Sequence, residues 1–254
     1  MFLKEKYAMK VKTILVSQPE PKMENSPYQN LVDRTKVKID FRSFIHVEGA
    51  AAKEVREQKI DLSKFTAIIL TSRNAVDHFF RVAEEMRFKI PDSLKYFCQS
   101  EAVAYYLQKY VVYRKRKIYV GKRTFPELCP LIKKHKNETF LIPSSDKVGG
   151  SSALELDKLG VKWTSGTFFR TVISDLSDLA DVKYDVLVFF SPSGIESLFQ
   201  NFPEFTQEKT CIAVFGNTTM KAAQDKGLRI DIQAPTPESP SMTMAIENYI
   251  KEKS

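Results

Sequence analysis

Hydroxyl-bearing residues stand at three places where an apolar run gives way to a helical pattern. Each apolar run is typical of a buried strand, and each pattern that follows is typical of an amphipathic helix. The first turn of a helix leaves backbone N–H groups without acceptors and carries the positive end of the helix dipole, so such junctions bind anions. The residues that we expect to bind a carboxylate or another anion are Thr71, Ser72, Ser191, Ser193, Gly216, Thr218 and Thr219.

Serine, threonine and asparagine are also the commonest helix N-caps, so a cap without any ligand is the alternative at each single junction. Three such junctions directed towards one cleft favour ligand binding. A fourth junction, at residues 148–152, contains two glycines but lacks the spacing of nucleotide-binding loops. A turn with a serine cap is the preferred interpretation there, and we expect no nucleotide cofactor.

Other reactive residue types are scattered along the chain. No histidine or cysteine has the spacing of a metal site, and neither a CxxC pair nor a nucleophile elbow is present. We therefore expect no metal, no disulfide framework and no covalent nucleophile. The residues considered are His46, His78, His135, Cys98, Cys129 and Cys211.

The 254-residue chain has a formal net charge of +8, which favours acidic partners. Residues 114–117 are all lysine or arginine and precede an apolar alternation, so a solvated loop is the preferred interpretation. Nucleic-acid binding is an alternative that rests only on this run and on the net charge, so no nucleic-acid partner is expected.

No apolar run is long enough for a signal peptide or a membrane span. A cytoplasmic location without a membrane partner is therefore expected.

Short apolar runs alternate with helical patterns along most of the chain, which predicts an α/β fold. Several runs are continuously apolar, as in parallel strands covered by helices on both faces. The segment AIILTSRNAVDHFF (67–80) resembles VLVFFSPSGIESLF (186–199), so one unit is used twice. The sequence therefore predicts two doubly wound parallel sheets, one in each of two domains.

Two segments, residues 41–47 and 164–172, alternate apolar and polar residues as half-exposed strands do. If they pair as a two-stranded connector, the domain between them is an insertion. The predicted domains are then residues 1–43 with 170–254, and residues 45–168. Ligands favour clefts between domains, so we expect the site there.

The order of the motifs resembles the uroporphyrinogen-III synthase family. The segments that carry the resemblance are ILVSQP (14–19), IILTSRNAV (68–76), VFFSPSG (188–194), VFGNTT (214–219) and APTPESP (234–240). The resemblance implies two α/β domains joined by a two-stranded ladder, and a cofactor-free lyase acting on hydroxymethylbilane. This linear tetrapyrrole loses water, its last ring is inverted through a spiro intermediate, and the macrocycle closes. The implied protein is a monomer that binds this polycarboxylate.

Five positions depart from the pattern of that family. Phe169 stands where a tyrosine is the proposed proton donor, and Gln18 where an arginine is frequent. Gln99 and Ala102 replace a glycine and a threonine, and Ser144 stands where an arginine often follows proline. The catalytic residue is therefore unassigned. The alternative function is a tetrapyrrole-binding paralogue without activity.

Overall fold

The computed structural model describes residues 10–22, 26–145, 151–180 and 182–253. The strands are β1 (Thr13–Val16), β2 (Lys38–Phe41), β3 (Ile45–Gly49), β4 (Ala67–Leu70), β5 (Lys95–Cys98), β6 (Ile118–Val120), β7 (Thr139–Ser144), β8 (Lys162–Thr167), β9 (Phe169–Ile173), β10 (Val186–Phe189), β11 (Cys211–Phe215) and β12 (Ile232–Ala234). The helices are α1 (Pro27–Thr35), α2 (Ala52–Glu57), α3 (Arg73–Glu85), α4 (Glu101–Leu107), α5 (Phe125–Lys134), α6 (Ser151–Leu159), α7 (Pro192–Asn201), α8 (Asn217–Asp225) and α9 (Met242–Lys253).

Ten of these strands form two parallel sheets of five, which confirms the predicted fold class. The first sheet has the order β12-β11-β10-β1-β2, and the second has the order β6-β5-β4-β7-β8. The central strands β4 and β10 are buried along their whole length, as expected for strands with helices on both faces. In each sheet the strand order reverses at one point, between β10 and β1 in the first and between β4 and β7 in the second.

The chain divides into two compact units. The first unit comprises the described residues of Met1–His46 and Val172–Ser254, and the second comprises Val47–Thr171. Each unit holds one parallel sheet with two apolar clusters, and each cluster takes alternate side chains of the strands. Both units therefore have cores of their own.

The internal repeat corresponds to equivalent elements of the two sheets. In the second unit the chain runs β4, α3, β5, α4, β6, and in the first it runs β10, α7, β11, α8, β12. These strands take the same places in the two strand orders. The junctions at Ser72 and Ser191 are thus equivalent positions.

The remaining two strands, β3 and β9, form a small antiparallel sheet, and the chain passes between the units within them. The interpretation of residues 164–172 as a single strand is corrected, because its first part belongs to β8. Phe168 separates the two strands; its ring is fully buried, and its carbonyl accepts the N–H of Ala50 at 2.9 Å. The alternation of residue types continues through this break, so the sequence pattern does not reveal it.

Most of the junction at residues 148–152 lies outside the described residues. No helix in the described part of the chain is long and apolar enough to cross a membrane.

Gly166 of β8 makes a close contact that gives a stability prediction. A Cβ atom there would lie 2.2 Å from Ile60 Cδ1 and 2.9 Å from the buried ring of Phe168. We expect Gly166→Ala to lower the free energy of unfolding by about 1–3 kcal/mol, because the core must shift to admit the methyl group. Urea unfolding measures this. The matched control is Gly194→Ala, whose Cβ would have no neighbour nearer than 3.4 Å; an equal loss in both variants would contradict the prediction.

Candidate functional site

The carboxyl ends of the parallel strands form one edge of each sheet, and the predicted site residues lie at these edges. In open α/β sheets, ligands bind at this edge near the point where the strand order reverses. Each unit is considered separately.

In the first unit, Ser191 caps helix α7 immediately after β10. The backbone N–H of Gly194 donates to Ser191 Oγ at 3.2 Å, so the hydroxyl has its own hydrogen left to donate. Ser193 lies in the first turn of the same helix and is half-buried. This first turn is therefore a set of donors beside the point where the strand order reverses.

Sequence reasoning did not identify Ser17, which follows β1 at the same place. A Cβ atom on Gly194 would lie 3.6 Å from Ser191 Oγ and 3.7 Å from Ser17 Oγ, so both hydroxyls are close to the first turn of α7. The Ser17 N–H donates to Val188 O at 3.0 Å. Pairing of β1 with β10 joins distant parts of the chain, and only a prediction of strand order could have revealed this neighbour. Gln18, the next residue, is exposed.

Helix α8 begins after Gly216, whose φ of 85° and ψ of 153° suit glycine. No side chain caps this helix. The first hydrogen bond within the helix is donated by Met220 N to Gly216 O, at 3.1 Å. The N–H groups of the first turn point beyond the helix end. Thr218 is exposed, whereas Thr219 is only 1% exposed. A ligand at this turn can therefore use the Thr218 side chain, but it can use only the backbone of Thr219.

In the second unit, Ser72 caps helix α3 after β4, and its Oγ accepts the N–H of Ala75 at 3.1 Å. Thr71 and Ser72 are both half-buried. The exposed Arg73 follows, with its guanidinium carbon 5.4 Å from the centre of the Tyr106 ring. This junction offers the Ser72 hydroxyl, the N–H of Arg73 and a positive charge, whereas its counterpart at Ser191 has Pro192, which lacks an N–H, at the first helical position.

Gln99 connects two loops at the carboxyl edge of the second sheet. Its side-chain amide donates to Arg123 O at 3.2 Å. A Cβ atom on Gly121 would lie 2.8 Å from Gln99 O, so these loops approach closely only because residue 121 is glycine. Ala102 is exposed in the first turn of α4, and Ser144 Oγ at the end of β7 donates to Gly166 O at 3.1 Å. Gln99 and Ser144 therefore both have a structural role within the unit.

Phe169 is 7% exposed and packs in the core of the second unit. Its ring stacks on His78, with centroids 5.1 Å apart and planes at 21°. Burial, followed by the charge of Arg81, lowers the pKa of His78, and Arg81 Nε donates to His78 Nδ1 at 3.2 Å. Phe169 therefore packs against a neutral imidazole.

Carboxylates of the protein itself occupy other helix N-termini. At α5, Glu127 Oε2 accepts the N–H groups of Arg123 at 2.9 Å and Thr124 at 2.7 Å. These backbone bonds and the Thr124 hydroxyl lower the pKa of Glu127, so the helix terminus stabilises the ionised carboxylate. The first turns of α3, α7 and α8, every residue of which the structure describes, contain no acidic residue. These three termini are suited to an external carboxylate.

Metal and thiol chemistry receive no support from the described residues. Within those ranges, no three His, Cys, Asp or Glu side chains lie close enough to hold a metal ion. The three cysteines are free and buried, and burial raises the pKa of Cys98 to about 12. A thiol with that pKa stays protonated at neutral pH and is a poor nucleophile.

Comparison with known proteins gives a consistent result. The family model described as "Uroporphyrinogen-III synthase HemD" matches residues 27–244. A uroporphyrinogen-III synthase of Chlorobaculum parvum is 24% identical over 257 residues, covering 95% of this chain and all of the relative. The uroporphyrinogen-III synthetase structure of Helicobacter pylori has a TM-score of 0.60 at 19% identity, covering 95% of this chain and 99% of the other. A mutant uroporphyrinogen III synthase of Thermus thermophilus has a TM-score of 0.56 at 14% identity, with the same coverage. The two structures show the shared fold, and the match of the family model over most of the chain shows that this protein belongs to the uroporphyrinogen-III synthase family.

Proposed function

We propose that the protein is a uroporphyrinogen-III synthase, a hydro-lyase that converts hydroxymethylbilane into the cyclic type III isomer. Membership of the family supports the tetrapyrrole substrate. Elimination of the terminal hydroxyl as water leaves a carbocation on the first ring. The substituted carbon of the last ring attacks it, and the resulting spiro intermediate rearranges so that this ring is inverted when the macrocycle closes.

The observation that carries the proposal is the set of helix N-termini at α3, α7 and α8, each of which directly follows a strand at the carboxyl edge of a parallel sheet and has no acidic residue in its first turn. Helices α1, α6 and α9 also have no acidic residue there, but a longer loop separates each of them from the preceding strand. The substrate carries an acetate and a propionate on every ring, so it presents carboxylates to several donors at once. Glu127 shows how this chain holds a carboxylate, with two backbone N–H groups and one hydroxyl. At α3, α7 and α8 the corresponding donors are the hydroxyls of the junction and the free N–H groups of the first turn, which would fix the substrate by its carboxylates.

Catalysis in this proposal comes from positioning and electrostatics. Donors arranged in advance hold the chain of rings coiled and favour attack at the substituted carbon over direct closure. The proposed ligands are the side chains of Thr71, Ser72, Ser191, Ser193 and Thr218, and the backbone N–H of Thr219. Gly216, whose own N–H donates to Ala234 O at 2.7 Å, shapes the turn that directs these groups. The carboxylates of the substrate or bound water transfer the proton, since no catalytic side chain is assigned. We further propose a cytoplasmic, cofactor-free monomer that binds no nucleic acid.

The test of the proposed function is incubation with freshly generated hydroxymethylbilane, followed by chromatographic separation of the type I and type III products. We expect the type III isomer to dominate and its rate of formation to scale with protein concentration. Type I product alone, formed at the rate seen without protein, would refute the activity. Tetrapyrrole binding in that case would identify a binding protein.

The capping serines give a further prediction. We expect Ser72→Ala and Ser191→Ala each to lower kcat/KM about tenfold, because each loses one hydrogen bond to a charged group. Each variant should also lose about 1 kcal/mol of stability with its N-cap. Steady-state kinetics and urea unfolding measure the two effects.

Ser26→Ala is the matched control for the two capping serines. The Ser26 hydroxyl accepts the N–H of Gln29 at 3.3 Å, and the residue is only 8% exposed. Ser26 therefore caps a helix as the other two serines do, but a ligand cannot reach its side chain. We expect this variant to lose stability and keep its activity. A similar loss of kcat/KM in Ser26→Ala would show that capping, and not ligand contact, accounts for the effect.

A further inference from the structure

A patch of exposed hydrophobic side chains lies on the second unit, from the end of α4 to the start of β6. Eight large hydrophobic residues are exposed in the described part of the chain, and four of them fall between positions 105 and 113. Tyr105 and Val112 are each 79% exposed. The other two are Tyr110 and Tyr113, at 43% and 46%. Such a concentration is typical of an interaction surface.

The same segment is strongly basic. Residues 102–126 contain no aspartate or glutamate and seven lysines or arginines. Lys117 forms an ion pair with Asp92 at 3.2 Å, and Arg114, Lys115 and Arg116 are exposed beside it. We call the exposed residues 105–116, with the pockets beside them, the aromatic-basic surface. Its charge is complementary to an acidic partner.

Two pockets flank Tyr110 on this surface. One has a volume of about 350 Å³, with an apolar floor that includes Leu94 and Ile118 and a rim that includes Val112 and Arg114. The other has a volume of about 400 Å³, and Asp77, Arg81 and Glu84 contribute to its lining, so the positive charge of the surface lies on the side of the first pocket. The rings of Tyr110 and Phe80 and the side chain of Ile90 line both pockets. Each has room for one large apolar side chain.

The wall between the pockets is held in place. The Tyr110 ring stacks on Phe80 at 4.4 Å with planes 8° apart, and its hydroxyl donates to Asp77 Oδ1 at 2.6 Å. Tyr106 donates to Asp77 Oδ2 at 2.8 Å. A partner would therefore meet a surface that is already formed, which reduces the entropy lost on binding.

The aromatic-basic surface is separate from the expected ligand site. Leu94 and Lys117 immediately precede β5 and β6, so the surface lies near the amino ends of these strands. The expected site residues of this unit follow β4, at the carboxyl edge. Neither Thr71 nor Ser72 lines either pocket, although Tyr106 connects the two regions through its contact with Arg73.

We propose that the aromatic-basic surface docks an acidic peptide segment of a partner protein. Two apolar side chains of the segment fill the pockets on either side of Tyr110, and its carboxylates contact Arg114, Lys115 and Arg116. Concave pockets favour a peptide, because a lipid bilayer presents no side chain to fill them. Base stacking is disfavoured at Tyr110 and Tyr106, because Phe80 covers one face of Tyr110 and Lys109 Nζ lies 4.0 Å from the centre of the Tyr106 ring.

The test is a selection of random twelve-residue peptides displayed on phage against the full-length protein. We expect the enriched peptides to carry a net negative charge and two large apolar residues. Synthetic copies should bind at least about tenfold more weakly to Arg114→Gln/Lys115→Gln/Arg116→Gln and to Tyr110→Ala, by fluorescence anisotropy. Substitution of either apolar residue by alanine in the peptide should weaken binding similarly.

The matched control is Lys133→Gln/Lys134→Gln/Lys136→Gln, which removes the same charge from exposed positions at the end of α5 and just beyond it. We expect this variant to bind the peptides as the wild type does. Enrichment of peptides without acidic residues, or equal weakening of peptide binding by both triple variants, would overturn the proposal.

Vesicles containing phosphatidylserine and a single-stranded oligonucleotide serve as further probes. If either one bound through residues 114–116 and no acidic peptide were selected, the proposal would be wrong and the surface would bind a membrane or a nucleic acid instead.

Discussion

Gly216→Ala is expected to lower kcat/KM about a hundredfold in the conversion of hydroxymethylbilane. The backbone of Gly216 has φ 85° and ψ 153°, a region that only glycine adopts readily. An alanine there must shift the turn between β11 and α8, which aims the first N–H groups of α8. Loss of two hydrogen bonds to a substrate carboxylate accounts for an effect of this size.

The effect is one of backbone geometry and not of space. A Cβ atom on Gly216 would meet no other atom within 4 Å, so the methyl group itself displaces nothing. Gly227 provides the matched control, because it has φ 76° and is equally free of neighbours within 4 Å. It lies just beyond the other end of α8, after the C-cap Lys226.

We expect Gly227→Ala to lose about 1 kcal/mol of stability and to keep its activity. Steady-state kinetics measures the activity of both variants, and urea unfolding measures their stability. Together they distinguish a loss of activity caused by backbone strain from one caused by weaker substrate binding. Wild-type activity in Gly216→Ala would show that the N-terminus of α8 does not bind the substrate. Equal losses of activity in the two variants would indicate that strain in this unit alone lowers the rate.

The strands with continuous apolar runs were predictable from sequence. The apolar starts of the repeated segments 67–80 and 186–199 form β4 and β10, because parallel strands covered on both faces need apolar residues throughout. Helix α3 begins at Arg73, directly after the predicted junction, because the Ser72 side chain accepts the N–H of Ala75. Local patterns thus suffice where the governing interaction is local.

Features that depend on distant pairing were not predictable in this way. Ser17 lies beside Ser191 only because β1 pairs with β10, and no local pattern contains that information. The burial of Thr219 depends in the same way on the surroundings of α8, and its hydroxyl was expected to be accessible. The sequence therefore identified the junctions, and the structure distinguishes the side chains that can reach a ligand.

Phe169 is a further case, because its burial depends on a helix far away in sequence. The family resemblance implies a proton-donating tyrosine at this position. In the structure the ring is 7% exposed and stacks on His78 of α3. Any tyrosine here would place its ring in the same packed core, so we expect Phe169→Tyr not to raise turnover.

Phe169→Ala is expected to lower the free energy of unfolding by about 3–5 kcal/mol, because it leaves a cavity in the core of the second unit. The matched control is Thr171→Ala on the same strand, an exposed position where the change should stay within about 0.5 kcal/mol. Urea unfolding measures both variants, and kinetics at a temperature where each is folded measures activity. If Phe169→Ala lost less than about 1 kcal/mol of stability while its activity fell a hundredfold, the ring would act by contact with the ligand and not in the core.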